Sequence, residues 1–440
     1  MNNLKKTDKE VYNLIKKEEE RQKNTLMMIP SENIASKAVL EALGSCLTNK
    51  YAEGYPGKRY YQGNVFVDQI ENLAVERAKK LFGVPYANVQ PYSGSPANLA
   101  IYLALMKPGE KIMGLSLSSG GHLTHGAPAS FTGKLFQSVP YHVNQKGLID
   151  YEELKKIALK EKPKIIIAGI TAYSRILNWK KFAEIAQQVD AYLVADISHL
   201  AGLIVAGCYP SPKNYADIIM TTTHKTLRGP RGAIIMVTNK GIKKDKDLTN
   251  KIQKAVFPGL QGGPHLNNIA AIAVCLKEAQ TLKFKKYIQQ VIKNAKILAE
   301  ELKKYHFNLI SGGTDSHLVL VDLRNKNILG NTAAEALEEV GIIVNRNAIF
   351  NDPNPPFYPS GLRMGTPGIT TRGIKEKEIK LIAKWINETI EDVQNTKEKL
   401  QISLEQEKDK QVRKQIINST TSLKKINKEV KKLCQKFPIR

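Results

Sequence analysis

The sequence predicts an α/β fold, with a mostly parallel sheet covered by helices and a smaller α+β C-terminal domain behind it. Two observations carry that expectation. Between about residues 84 and 265, short aliphatic runs alternate with helical patterns, which is the texture of a layered α/β structure. The runs also lack strict apolar–polar alternation, as expected of strands covered on both faces.

In chain order, residues 1–24 read as a charged amphipathic arm with Val11, Leu14 and Ile15 at helical spacing. Residues 25–64 follow, rich in Gly and Tyr in their second half. Val67, Ile70, Leu73, Ala74, Ala78, Leu81 and Phe82 mark a helix that Gly83 stops. Strands are expected at Lys111–Leu115, Lys164–Ala168, Ala191–Ala195, Asp217–Met220 and Gly232–Val237, and helices at Tyr151–Leu159 and Trp179–Val189. Long amphipathic helices follow at Asn267–Ala279 and Phe284–Tyr305. Two strand-like runs, Ser316–Asp322 and Gly341–Asn345, flank a helix at Thr332–Val340. The expected organisation is an arm and dimer-contact segment (1–80), a large domain (81–279) and a small domain with Lys-rich terminal helices (280–440).

The chain has 440 residues, 42% hydrophobic and 24% charged, which is globular composition and excludes wholesale disorder. No run of about 18 apolar residues is present, so no transmembrane helix is expected. The first residues carry neither a secretory nor a transit-peptide pattern. The four cysteines, Cys46, Cys208, Cys275 and Cys434, stand far apart without metal or disulfide spacing, which fits a reducing cytoplasm. The net charge of +25 raises nucleic acid or an anionic membrane surface as partners. Residues 410–440 hold ten Lys/Arg against the single acid Glu429.

Three sites invite chemistry. Ser93-Gly94-Ser95, with Pro96 in the first helical turn, makes a helix start with free N–H groups suited to a phosphate; a plain cap is the blander reading. Asp196 follows a strand, with His199 three residues on. A carboxylate there could neutralise a cationic ring, or simply cap a turn. Lys225 lies in Thr221-Thr222-Thr223-His224-Lys225-Thr226-Leu227-Arg228-Gly229-Pro230-Arg231, where neighbouring positive charge favours a neutral, nucleophilic amine. A phosphate cup, a ring-stacking candidate His122, a strand-end Asp and a strand-end Lys share one explanation, pyridoxal phosphate.

The chain resembles serine hydroxymethyltransferase, a fold-type I pyridoxal-phosphate family, from about Met28 to Asp392. The motifs are Ile29-Pro30-Ser31-Glu32-Asn33, the run Asn49-Lys50-Tyr51-Ala52-Glu53 through Tyr60-Tyr61, Gly120-Gly121-His122-Leu123-Thr124-His125-Gly126, Thr222-Thr223-His224-Lys225-Thr226 and Gly361-Leu362-Arg363-Met364-Gly365-Thr366-Pro367. The resemblance implies that Lys225 holds the cofactor as its internal aldimine and that Asp196 sits at the pyridine nitrogen. By the same resemblance His122 stacks on the ring, Thr171 and His199 lie near the phenolic oxygen, and Ser93, Gly94 and Ser95 hold the phosphate. Tyr51 and the Gly262-Gly263 turn cross over from a neighbouring subunit, in a homodimer or tetramer with shared active sites. Ser31 and Arg363 take the substrate carboxylate.

Glu53 is similar to the family's acid/base glutamate, with Tyr61 and His224 lining the same pocket. Leu117, Gly121, His122, Leu123, Glu53, Asn347, Pro355, Pro356 and Phe357 correspond to folate-binding positions. The implied reaction is L-serine plus tetrahydrofolate giving glycine plus 5,10-methylenetetrahydrofolate, with no metal and no membrane. Arg346 and Phe350 depart from the family's usual Lys and Pro, Thr171 from its usual Ser, and residues from about Asn395 to Ser419 exceed many bacterial relatives. The alternatives are a folate-independent aldolase cleaving threonine or allothreonine, an aminotransferase, and a nucleic-acid-binding protein acting through 410–440. Neither enzyme alternative accounts for Tyr51–Tyr61 together with Asn347. The basic run lacks interleaved aromatics apart from Phe437, which disfavours nucleic acid.

Overall fold

A computed structural model describes residues 2–439. The chain divides into two units, Asn33–Gln289 and Met1–Glu32 together with Gln290–Arg440. The segment 1–80, grouped as one block on sequence grounds, is therefore split between them. The reason is strand pairing: Leu26–Met27 runs parallel to Ile342–Ile343, and Met28 O accepts from Gly365 N–H at 2.7 Å.

The unit Asn33–Gln289 is built on seven strands: β1 (Tyr86–Asn88), β2 (Lys111–Leu115), β3 (Gln137–Tyr141), β4 (Ile165–Gly169), β5 (Tyr192–Asp196), β6 (Ile218–Thr222) and β7 (Ala233–Val237). Their order is β1-β7-β6-β5-β4-β2-β3. β7 runs opposite to the other six strands, pairing antiparallel with β1 and β6, and the remaining pairs are parallel. The sheet is therefore mostly parallel, as expected. Alternate residues face opposite sides, and both sides are dry. Ile165, Ile167, Val194, Ile218, Met220 and Ile235 pack into one core with Ile101 and Tyr102, while Ile166, Ala168, Leu193, Ala195 and Ile219 are equally buried. Each buried Ile, Leu or Val contributes about 1.5–3 kcal/mol, which is why these strands read as continuous apolar runs.

Two strands escaped the sequence pattern. β1 has three residues, and β3 is an edge strand with exposed Gln137, Ser138 and Pro140, the one kind of strand where proline is tolerated. The helices Val65–Phe82, Tyr151–Glu161, Trp179–Gln188 and Leu266–Ala279 lie within two residues of their expected bounds. Gly83, at φ 67°, ends the first of them by donating to Lys79 O.

The other unit carries a four-stranded antiparallel sheet: β8 (Asn308–Leu309), β9 (Leu318–Asp322), β10 (Asn345–Asn347) and β11 (Gly361–Gly365), ordered β8-β9-β11-β10. The run Gly341–Asn345, expected as one strand, serves two sheets. Ile342–Ile343 pairs with Leu26–Met27, and Asn345–Asn347 pairs with β11. β11 was legible only as a motif, because Gly, Arg and Gly hide its strand character.

Helices Gly330–Glu339, Glu376–Lys399, Lys410–Ser419 and Leu423–Lys436 cover this unit's core. The basic end forms the two helices Lys410–Ser419 and Leu423–Lys436. Leu423, Ile426, Val430, Leu433 and Cys434 are buried, which leaves the lysines of that helix on its other face. Arg372 ties the termini together, donating to Gln22 O, Lys23 O and Thr25 O as well as Cys434 O and Phe437 O.

Candidate active site

Parallel strands bring the loops after β2, β4, β5 and β6 to one edge of the sheet, the edge where ligands of open α/β sheets bind. Asp196 is the last residue of β5, level with Gly169 of β4 and Met220 of β6. Its Oδ2 lies 3.0 Å from His125 Nε2 and accepts from Asn98 Nδ2 at 3.1 Å, while Oδ1 accepts from Ser198 N–H. Burial opposes ionisation of this carboxyl. The His125 hydrogen bond and charge, the Ser198 side chain and the field of His122 outweigh it and hold the group well below the usual carboxylate range. Gly169 permits the pairing, since a Cβ there would come within 2.7 Å of His125 Cε1 and 2.8 Å of Asp196 Cβ.

His122 opens the short turn Leu123–His125. Its Nδ1 lies 2.8 Å from Thr124 Oγ1, and its ring sits edge-on to His125 at 5.7 Å. Thr171 N–H donates to Gly120 O, which seats this loop on the end of β4. His199 is buried, and its carbonyl accepts from Thr226 Oγ1 at 3.2 Å.

Lys225 is buried in a tight turn after β6. Asn33 Nδ2 donates to its carbonyl, Arg228 N–H returns to the same oxygen, and Gly229 N–H donates to Thr223 O. The turn holds Arg228 at φ 63°, a left-handed conformation that costs a non-glycine residue roughly 1 kcal/mol. Arg228 is held there with its guanidinium 5.0 Å over the Tyr287 ring. His224 Nδ1 is buried without a hydrogen-bond partner. Burial, then the charges of Lys225 and Arg231, push the imidazole down to about 3, so it is neutral at neutral pH.

Ser93 caps the helix Gly94–Leu105 without a side-chain bond of its own, and the first N–H groups of a helix lack intrahelical partners. A Cβ on Gly94 would come within 2.7 Å of Thr222 Cγ2, and Thr222 Oγ1 is buried with no partner. Tyr92 N–H donates to Gln261 Oε1 and Tyr92 Oη to Gly263 O, so Gly262-Gly263 lies beside the same helix start.

Tyr51 and Glu53 lie against the Gly262-Gly263 turn, with Tyr61 beside Tyr51. Tyr51 Oη donates to Glu53 Oε1 at 3.3 Å, the two tyrosine rings meet edge-on at 5.1 Å, and Glu53 lines a cleft of about 510 Å³ with Tyr60, Gln261 and Gly262. Tyr51 and Tyr61 are exposed, as are Tyr60, Val65 and Phe66. Leu117 and Leu123 are exposed beside buried Gly121.

The remaining expected residues belong to the other unit. Arg363, on β11, is buried and donates from Nε to Asn345 Oδ1 at 3.0 Å, and burial lowers its guanidinium to about 10. The Met28–Gly365 hydrogen bond brings the segment just before Ser31 beside β11. Asn347 ends β10. Phe357 is 77% exposed in a loop that Asp352 organises by accepting from Ser360 N–H and Oγ and from Asn354 N–H.

The sequence model of the serine hydroxymethyltransferase family matches residues 4–386. The chain belongs to the serine hydroxymethyltransferase family. It is accordingly a pyridoxal-phosphate-dependent one-carbon transferase acting on serine, glycine and tetrahydrofolate. The strand-end residues fit that cofactor. An ionised carboxylate suits a cationic ring nitrogen, a buried primary amine suits an aldehyde, and the helix start beside the orphaned Thr222 hydroxyl suits a phosphate. Sequence reasoning on serine hydroxymethyltransferase motifs passed over His125 and Asn98, although His125 stands inside a quoted motif. Only the fold shows that both meet Asp196.

Proposed function

We propose that the strand-end cluster is the pyridoxal-phosphate site, with Lys225 the residue that holds the cofactor covalently. The buried, ionised Asp196 carries this reading. An isolated buried carboxylate would take up a proton, and three partners spend their hydrogen bonds on keeping this one charged. When bound, the cofactor supplies a carbonyl for amine condensation and a protonated ring that draws electron density from the substrate's Cα.

Asp196 keeps the ring nitrogen protonated, His122 stacks on the ring, and Thr171 and His199 bind its phenolic oxygen. Ser93, Gly94 and Ser95 hold the phosphate, and Gly262 and Gly263 complete its site from the neighbouring subunit together with Tyr51. Arg363 fixes the substrate carboxylate bidentately, assisted by Ser31. Glu53 exchanges a proton at the serine hydroxyl, with Tyr51, Tyr61 and neutral His224 lining that pocket. Leu117, Gly121, His122, Leu123, Asn347 and Pro355–Phe357 bind the folate.

The exposed aromatic surface of Tyr51, Tyr60, Tyr61 and Phe66 supports a homodimer in which Tyr51 and Glu53 serve the partner's site. The four free cysteines fit a cytoplasmic enzyme, and among the described residues no helix is long and apolar enough to cross a membrane. The test is spectroscopic. Purified protein should show the visible absorbance of a covalently held cofactor, and Lys225→Ala should abolish it. A variant that keeps the band refutes the assignment.

A further inference from the structure

The family match stops at residue 386, yet a fully buried ion pair lies beyond it. Lys397, near the end of the helix Glu376–Lys399, and Glu407, in a short turn, are 2% and 0% exposed, with Nζ and Oε2 2.6 Å apart. Lys397 Nζ also donates to Asn327 O at 2.6 Å. Glu407 Oε1 accepts from Leu329 N–H at 2.8 Å and from Thr332 Oγ1 at 2.5 Å. Arg413 closes over the turn, donating to both carboxylate oxygens of Glu335 and to the carbonyls of Glu407 and Lys408. Withdrawing two charges from water is expensive, so such a pair adds little stability on balance even when every hydrogen bond is made. What it fixes is geometry.

The element it fixes is the first turn of the helix Gly330–Glu339. That turn faces two ways. Glu407 holds Leu329 and Thr332, while Gly330 N–H donates to Pro359 O at 2.7 Å and Asn331 Nδ2 donates to Phe357 O at 3.2 Å. The same turn therefore joins the ion pair to the stretch Pro355–Phe357.

We propose that Glu407, charge-matched by Lys397, is a positioning residue for the folate-binding loop, and that the segment after the family match braces this loop through the first turn of Gly330–Glu339. The inference rests on the reading of Pro355–Phe357 as folate-binding. Glu407 touches no substrate; it acts through Leu329, Thr332 and Asn331.

The experiment uses full-length holoenzyme and three variants. Asn331→Ala cuts the loop side of the link and leaves the ion pair intact. The double variant Lys397→Met/Glu407→Gln removes both charges at nearly constant volume, which guards against the misfolding that one unpaired buried charge would cause. Phe357→Ala tests the loop reading itself. For the first two, the tetrahydrofolate KM and the calorimetric Kd should rise by between about 2- and 10-fold, the worth of one hydrogen bond. The serine KM and kcat at saturating folate should stay within about 2-fold, and amide exchange across 350–360 should quicken.

Unchanged folate affinity in both variants, or serine and folate constants rising together, overturns the brace. If Phe357→Ala leaves folate affinity unchanged, the loop reading fails and the brace with it. If Phe357→Ala weakens folate while the other two do not, the brace alone fails.

Discussion

His125 Nε2 lies 3.0 Å from Asp196 Oδ2 at the end of β5, both side chains buried. With Asn98 and the Ser198 amide, this contact keeps a carboxylate charged where burial alone would neutralise it. Asp196→Asn should therefore lower kcat by on the order of 10²–10³, the usual worth of one preorganised charge partner. His125→Ala should act in the same direction with a smaller loss. Steady-state kinetics with saturating pyridoxal phosphate checks both, and an Asp196→Asn enzyme of ordinary kcat would remove the carboxylate from the chemistry.

Arg363 is a buried cation on a central strand. Arg363→Lys should raise the serine KM by about 10-fold or more, since a planar fork is replaced by a point charge and one or more charged hydrogen bonds are lost. The absorbance of bound cofactor should change little. An unchanged serine KM would place the carboxylate clamp elsewhere.

His224 makes stability depend on pH. Its folded-state value is depressed to about 3 from the ordinary 6.5. Between those values the unfolded chain binds a proton that the folded chain refuses. Stability from this group is thus present above about pH 6.5 and is lost as pH falls toward 3, with a slope of up to about 1.4 kcal/mol per pH unit. Asp196 works in the same direction at lower pH, because its value is also depressed. Urea melts at pH 7, 6, 5 and 4 should show His224→Gln losing less stability on acidification than the parent. Parallel curves would contradict a buried neutral His224.

The layered fold was legible because β2, β4, β5, β6 and β7 are buried on both faces and so announce themselves as aliphatic runs. β3 and β11 were not, since Pro140 lies on a sheet edge and Arg363 is a buried cation between two glycines of its strand, where local pattern yields to tertiary demand. Asp196 and Lys225 stood out because each follows such a run. His125 and Asn98 carry no local mark; Asn98 lies 98 residues from Asp196 in sequence and only the folded sheet brings them together. Lys397 and Glu407 look like any solvated pair in a Lys-rich segment, and burial alone tells them apart.

Site sharing predicts complementation. Glu53→Gln and Lys225→Ala proteins should each be inactive. Co-refolded or subunit-exchanged mixtures should regain up to about one quarter of parental activity, the share of intact sites expected from random two-fold pairing. No recovery, with hybrid dimers demonstrated by mass, would argue that Glu53 serves its own chain's site.

The most direct test of the central claim, that the strand-end cluster performs folate-dependent hydroxymethyl transfer, is a serine-to-glycine assay on parent and Asp196→Asn enzymes, with and without tetrahydrofolate. The parent should form glycine rapidly only with tetrahydrofolate, and Asp196→Asn should lose that rate. Equal glycine formation without folate, or an undiminished rate in Asp196→Asn, would contradict the account.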